Sequence, residues 1–174
     1  MEIIYGKNVY LKAITYEDTE LIVKWRNKEQ VRKNFIYQNP FTKESHEEWM
    51  KNQVETGNVI QMIIFVRKTD KPIGSVYLRD MDPKNKKAEY GIFIGEDDER
   101  GRGYGTEAAL LMSGYAFANL GIHKIYLRVL KENVAAQRSY EKAGFVKEAE
   151  FRDDVCMEGV FKTVVFMGKI SEKK

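Results

Sequence analysis

The spacing of hydrophobic positions along the chain alternates between a strand pattern and a helix pattern. Short runs rich in β-branched and aromatic residues predict strands over 8–14, 59–68, 73–82, 88–95 and 123–130. Two further strands are expected in FVKEAEFRD and VFKTVVFMGKI, on either side of a turn-like DDVCMEG. Turns separate the three strands between 59 and 95, so these strands are expected to be consecutive antiparallel neighbours.

Helical spacing recurs in four segments that begin at capping residues or end at glycine, over 17–27, 42–54, 105–120 and 133–144. Thr15 is expected to cap the first helix with Asp18 as its partner, and Asn133 to cap the fourth. The order β, α, α, β, β, β, α, β, α, β, β predicts one domain over residues 1–174. Its class is α/β (α+β), a mixed sheet of about seven strands with about four helices on its faces.

Composition and charge narrow the class of protein. Apolar residues make up 43% of the 174-residue chain, which argues against disorder. The net charge of +3 comes from many charges of both signs, so a nucleic-acid partner is not expected. No apolar run is long enough to span a membrane and the start does not resemble a signal peptide, so a cytoplasmic protein without a membrane partner is expected. One cysteine, Cys156, and two histidines argue against a disulfide or a structural zinc site.

The stretch RGRGYGT, residues 100–106, combines closely spaced glycines with two arginines just before a predicted helix. The amide groups at a helix start attract anions, and glycine allows the backbone to approach a phosphate closely. The spacing matches neither a P-loop nor a dinucleotide-binding fingerprint. A pyrophosphate or similar group is the predicted ligand, although such turns also join strands to helices without binding anything.

Several motifs together resemble one family. Arg100, Gly103 and Gly105 match the R/Q-x-x-G-x-G/A signature of the GNAT superfamily, the acetyl-coenzyme A-dependent N-acetyltransferases. The strand EYGIFIG before this loop and the helix NVAAQRSYEKAGF after it resemble the central strand and the N-(x)6-Y-x-K-x-G-F helix of that family. The opening VYLKAITYEDTELIVKWRN is similar to the branch that contains ribosomal-protein N-terminal and polyamine acetyltransferases.

The resemblance implies a GNAT fold with a mostly antiparallel sheet and acetyl-CoA as cosubstrate. It places the pyrophosphate on the loop at Arg100, Gly101, Arg102, Gly103, Tyr104, Gly105 and Thr106. It also implies a bulge in the central strand, which would free the backbone of Ile92, Phe93 and Ile94 to pair with the pantetheine in a slot between splayed strands. Asn133 would contact the pantetheine, and Lys131, Arg138 and Lys142 are candidates for the 3′-phosphate.

The same resemblance assigns the catalytic acid and the acceptor site. Asn133 and Tyr140 are seven residues apart and share a helix face, and Tyr140 would protonate the departing thiolate. Glu89, a carboxylate in an apolar strand, is the candidate base if burial raises its pKa, and otherwise a charge paired with Lys86 or Lys87. In this family the two early helices cover the acceptor, so Trp25, Arg26 and Asn27 are expected at the amine, near His46 and Trp49.

The predicted function is acetyl transfer to a primary amine in a ternary complex, without a covalent enzyme intermediate. The acceptor is expected to be a protein N-terminus or a small amine, with a polyamine or an amino sugar on a nucleotide carrier as alternatives. A non-catalytic acyl-CoA sensor is the alternative of another class. The acids at 96–99 are expected to form either a solvated loop or a rim that attracts the amine, and the chain is a candidate homodimer.

Overall fold

A computed structural model describes residues 3–172, which form one eight-stranded sheet with helices on both faces. The strands are β1 Ile3–Tyr5, β2 Val9–Ala13, β3 Ile60–Val66, β4 Lys71–Asp82, β5 Lys87–Ile94, β6 Lys124–Leu130, β7 Val146–Met157 and β8 Val160–Ile170. Their order in the sheet is β1-β2-β3-β4-β5-β6-β8-β7. Every described pairing is antiparallel except β5 with β6.

The helices within residues 3–172 are α1 Thr19–Asn27, α2 Glu29–Arg32, α3 Lys43–Trp49, α4 Tyr104–Asn119 and α5 Val134–Lys142. A 3₁₀ turn, Tyr16–Asp18, precedes α1, and a π-helical turn, Met50–Val54, continues α3. Thr15 and Asp18 form the predicted capping box. Asn133 caps α5 by accepting a hydrogen bond from the backbone N–H of Ala136 at 3.3 Å.

The predicted mixed α/β architecture is confirmed, with one more strand and one more helix than expected. β1 is only three residues long and α2 only four, and elements this short do not establish a hydrophobic period. The predicted antiparallel run β3-β4-β5 is confirmed.

The turn expected at residues 153–159 is confirmed only for its last two residues. Residues through Met157 belong to β7, and only Glu158 and Gly159 lie between β7 and β8, both with positive φ. Asp153 also has a positive φ, where the pairing register shifts between Phe151 and Val155. A bulge on an exposed edge strand tolerates polar residues, which is why this segment resembles a turn in the sequence.

Alternating residues of the central strands pack on opposite faces of the sheet. In β3, Met62 and Ile64 join the larger core cluster, which includes Met112 of α4 and Tyr140 of α5. Ile63 joins a second cluster with Trp25 of α1. Helices α4 and α5 therefore cover one face and α1 to α3 the other, as the two-residue period of a strand requires.

The sheet opens between its two parallel strands. β5 and β6 pair only over Lys87–Glu89 and Lys124–Tyr126, after which each strand continues with its other neighbour alone. The predicted splay is thus present beside Tyr90–Ile94. The bulge expected at Ile92–Ile94 is wrong, because β5 pairs with β4 without a register shift from Glu89 to Ile94. The edge of β5 is free because β6 diverges from it.

Candidate active site

A cavity of about 980 Å³ lies where β5 and β6 separate. One end is bounded by the loop before α4 and by helix α5, and the other by α1, α3 and the segment between α2 and α3. The sheet supplies the floor from β4, β5 and β6. Ile92, Phe93 and Ile94 all line the cavity, as predicted.

The glycine-rich loop shapes the first end of the cavity. Gly101 and Gly103 have φ angles of 74° and 82°, in the left-handed region that favours glycine. The Arg100 guanidinium donates to the Ile94 carbonyl at 3.0 Å, which ties the loop to β5. Helix α4 begins at Tyr104, so its first free N–H groups lie at this end of the cavity. The arrangement suits an anion held by backbone amides.

The predicted loop residues divide into two groups. Arg100, Gly101, Gly103, Tyr104, Gly105 and Thr106 line the cavity. The Arg102 side chain instead forms an ion pair with Glu99 at 3.5 Å and does not line it. Thr106 Oγ1 lies 2.9 Å from Ser139 Oγ, and this contact joins α4 to α5.

The acids at 96–99 position the loop. Glu96 accepts a hydrogen bond from Trp25 Nε1 at 2.6 Å, and Lys71 reaches both Asp98 and Glu99, at 2.9 and 3.2 Å. Asp97 pairs with Arg100 at 3.3 Å. The two outer acids are largely buried and only the two central ones are solvated, so the expectation of a solvated loop is half right.

Helix α5 brings Asn133 and Tyr140 to the cavity on one face, as their spacing predicts. The Tyr140 ring packs against Tyr90 and Phe145, with ring centres 6.2 and 5.9 Å away. Burial raises the pKa of Tyr140 well above its ordinary value, so the phenol stays protonated at neutral pH. Arg138 and Lys142 also line the cavity. Lys131 does not, since its ammonium group pairs with Glu150 at 2.5 Å.

Glu89 lines the cavity but differs from its prediction. Only 5% of the residue is exposed, and Oε1 lies 3.1 Å from Arg79 Nη2 and 3.0 Å from Arg128 Nε. Burial alone would favour the neutral acid, but the hydrogen bonds and charges of Arg128 and Arg79 outweigh it and lower the pKa of Glu89. The predicted raised pKa is wrong, and so is the alternative pairing with Lys86 or Lys87. Glu89 is a bridge between two arginines.

Sequence reasoning missed Arg79 and Arg128. Arg128 is the one cation in the interior of the apolar strand KIYLRVL, which begins with Lys124, just as Glu89 is the one anion within KAEYGIFI. Two isolated opposite charges in neighbouring buried strands could have been paired from the sequence. The parallel pairing of β5 with β6 then brings the two side chains together.

The three predicted acceptor residues separate. Arg26 lines the cavity, while Trp25 and Asn27 do not. Trp25 is completely buried in the second core cluster and contacts Gly95, where a Cβ atom would lie 2.1 Å from the indole. Asn27 exchanges hydrogen bonds with the backbone of Phe41, so it holds the segment between α2 and α3. Helical spacing explains the split, since neighbouring residues on a helix point in different directions.

His46 lies at the same end of the cavity. It is 1% exposed, and its Nδ1 lies 3.1 Å from Thr19 Oγ1. Burial lowers the pKa of His46 to about 4, so the imidazole is neutral at pH 7. Its Nε2 is buried without a hydrogen-bond partner among the described residues.

Residues 3–172 contain neither a metal-binding cluster nor a membrane-spanning helix. No group of three or more His, Cys, Asp or Glu side chains is arranged to hold a metal ion. None of the helices in that range has the length and hydrophobicity required to cross a lipid bilayer.

Comparisons with known proteins agree with the motifs. A family model described as an acetyltransferase (GNAT) domain matches residues 8–146. The N-acetyltransferase p20 of Bacillus licheniformis, itself uncharacterized, is 27% identical over 157 residues, which is 88% of this chain and 87% of that protein. The spermidine N(1)-acetyltransferase of Vibrio cholerae is 25% identical over 163 residues, covering 94% of this chain and 93% of that protein.

The fold agrees as well. A crystal structure of spermidine N-acetyltransferase from Vibrio cholerae in complex with CoA and spermine matches with a TM-score of 0.88 at 24% identity. The match covers 97% of this chain and 98% of that one. The chain therefore belongs to the GNAT family of acetyltransferases, enzymes that take an acetyl group from acetyl-CoA.

Proposed function

We propose that residues 1–174 form one N-acetyltransferase domain that transfers the acetyl group of acetyl-CoA to a primary amine. The observation that carries this proposal is the single cavity that runs from the glycine-rich loop, past the opening between β5 and β6, to the roof formed by α1 and α3. Donor and acceptor would enter from opposite ends and meet beside Tyr140. Direct transfer in a ternary complex follows, because the thioester and the amine are brought together without an enzyme nucleophile.

The loop end of the cavity suits the donor. Backbone N–H groups of residues 101–106 would hold the pyrophosphate, with help from the guanidinium groups of Arg100 and Arg138. For Arg102 we assign the backbone amide alone, since its side chain pairs with Glu99. The free edge of β5 at Ile92–Ile94 would pair with the pantetheine as an added strand, and Asn133 also lines the cavity.

The chemistry requires a neutral amine, whose nitrogen lone pair attacks the thioester carbonyl carbon. The C–N bond forms, the C–S bond breaks, and the proton released by the amine passes to water. Tyr140 would donate its phenolic proton to the departing sulfur and regain a proton from water, and its raised pKa keeps the phenol protonated between turnovers. We do not assign the base to Glu89, because its lowered pKa makes it a weak proton acceptor.

The acceptor is proposed to be a protein N-terminus or a small amine. A polyamine is a second candidate, favoured by the similarity to spermidine acetyltransferases. A thiol-release assay with acetyl-CoA and a panel of peptides, polyamines and amino sugars tests the function. Release with at least one amine supports it, whereas acetyl-CoA binding without any release would indicate a non-catalytic sensor.

We further propose that the protein is cytoplasmic. We also propose that it associates with a second copy of itself through the β7–β8 hairpin. Phe161 is 65% exposed there, next to the exposed Val160, and Phe151 of β7 is 46% exposed. A Vibrio cholerae spermidine N-acetyltransferase is described as dodecameric, which supports association without setting its order. Light scattering on purified protein measures the mass directly, and a monomer would refute the association.

A further inference from the structure

The roof end of the cavity carries an excess of positive charge. Arg26 of the roof lines it together with Arg79 and Arg128 of the floor, and Glu89 is the buried carboxylate that faces them. A second carboxylate, Asp80, pairs with Arg79 at 3.7 Å but is 65% exposed. Both carboxylate oxygens of Glu89 accept hydrogen bonds from Arg128, and Oε1 also accepts one from Arg79. The other carboxylate that lines the cavity within residues 3–172 is Glu99, at the loop end, where it pairs with Lys71 and Arg102.

Within residues 3–172, Arg26 is the cation in this group that forms no ion pair. It is 8% exposed, and its guanidinium carbon lies 3.3 Å from the centre of the Phe35 ring and 4.6 Å from that of Phe41. Its Nη1 is buried without a hydrogen-bond partner, and no carboxylate among residues 3–172 forms an ion pair with it. Burial lowers the pKa of Arg26 to about 10, as expected for a desolvated and uncompensated cation.

An unpaired buried cation is costly, and proteins normally pair or hydrogen-bond such a group. The aromatic rings around Arg26 hold its plane and leave its N–H groups directed along the edge of the guanidinium, where an anion binds. Arg79 lies close enough to lower the pKa of Arg26 further by repulsion. A negatively charged ligand group would relieve both effects.

This charge pattern distinguishes among the acceptors. A polyamine would bring two or more positive charges toward three arginines whose two neighbouring carboxylates, Glu89 and Asp80, are already paired. An amine that carries an anion would supply the missing counterion. His46 does not alter this balance, because it is neutral at pH 7.

We propose that the acceptor is a small amine that also carries a carboxylate or a phosphate, and that Arg26 binds this anionic group. The inference rests on the proposed transferase function for the amine, whereas the anion site itself can be tested without turnover. The proposed function is thereby narrowed to one class of acceptor, which does not include a polyamine.

The first experiment measures binding with the donor end occupied. Protein saturated with CoA is titrated calorimetrically with inorganic phosphate, acetate and spermidine. Phosphate or acetate is expected to bind, and Arg26→Met should weaken that binding about 10- to 150-fold, the loss typical of one hydrogen bond to a charged group. Methionine keeps an unbranched apolar stem between the rings of Phe35 and Phe41 but removes the charge.

Two further variants separate the site from general effects. Lys24→Gln removes a positive charge from an exposed position of the same helix and should leave anion binding unchanged. Arg26→Lys keeps the charge and should retain part of the affinity. Thermal melting and the affinity for CoA show whether each variant is folded. If Arg26→Met does not fold, the loss of anion affinity is measured on Arg26→Lys instead.

The second experiment compares turnover of matched acceptors. Glucosamine 6-phosphate against glucosamine tests a phosphate, and β-alanine against its amide tests a carboxylate. At least one anionic member should exceed its neutral partner about tenfold or more in kcat/KM, and Arg26→Met should remove that excess.

Three results would overturn the proposal: spermidine binding where neither anion binds, no binding of any of the three probes, or anion binding unchanged in Arg26→Met. Failure of every amine to release thiol would refute the transferase function instead, while the phosphate and acetate titrations still decide whether Arg26 is an anion site.

Discussion

The bridge formed by Glu89 between Arg79 and Arg128 leads to a prediction about stability. Glu89→Gln keeps the size of the side chain and one carbonyl oxygen but removes the negative charge. Arg128 would then lose its counterion at the cavity floor, and Arg79 would keep only the exposed Asp80, 3.7 Å away. We expect a loss of folding free energy together with a smaller change in turnover than removal of a catalytic base would cause.

The size of the loss follows from the geometry. The Glu89 carboxylate is 7% exposed and contacts the arginines at 3.0 and 3.1 Å, whereas the Arg79 and Arg128 side chains are 35% and 31% exposed. Breaking a fully buried pair costs about 3–5 kcal/mol, and partial hydration of the arginines places this case at the lower limit, about 3 kcal/mol. For a chain of this length, that corresponds to a fall in Tm of about 6–12 °C.

Urea unfolding at pH 7, followed by circular dichroism, measures the change. Glu148→Gln is the matched control, because Glu148 pairs with Lys124 at 2.7 Å but both side chains are more than a third exposed, so we expect less than about 1 kcal/mol. The lowered pKa of Glu89 means that its contribution is complete above about pH 4.3, the value in an unfolded chain, and disappears as the pH falls through the folded value. The two proteins should therefore converge in stability in strong acid.

A Glu89→Gln protein that is as stable as the wild type would show that the bridge does not stabilise the fold. If turnover also fell a hundredfold or more, Glu89 would be the catalytic base after all, and the assignment of the amine proton to water would be wrong.

Four other changes test the site and the fold. Tyr140→Phe keeps the ring contacts, so we expect acetyl-CoA affinity to survive while turnover falls by about 10²- to 10⁴-fold; unchanged turnover would refute the acid role. Gly103→Ala forces a side chain into a φ of 82°, which costs about 1–2 kcal/mol and should raise the KM for acetyl-CoA. Gly114→Ala, inside α4 with open space around it, should instead stabilise by about 0.5–1 kcal/mol and leave that KM unchanged. Since burial lowers the pKa of His46 to about 4, stability should fall as the pH drops from about 6.5 toward 4, and His46→Gln should flatten that fall in a pH series of melting curves.

Local features of the fold were predictable because their partners are near in sequence. The capping box of Thr15 and Asp18 and the cap at Asn133 each join residues three positions apart. The short strand β1 was not predictable, since its three residues have a place only because β2 pairs with them. The edge strand β7 was mistaken for a turn at Asp153 because its bulge uses polar residues.

The sequence by itself determined the family, the glycine loop and the Tyr140 helix, because each of these is a contiguous motif whose chemistry needs particular residues at fixed spacing. Only the tertiary structure decided the ionisation of Glu89 and the exposure of Arg26 to the cavity. Arg128 is 39 residues from Glu89, and the parallel pairing of β5 with β6 brings them together. The electrostatics of a buried side chain depend on every charge that the fold places around it, and a strand or helix pattern contains no record of those neighbours.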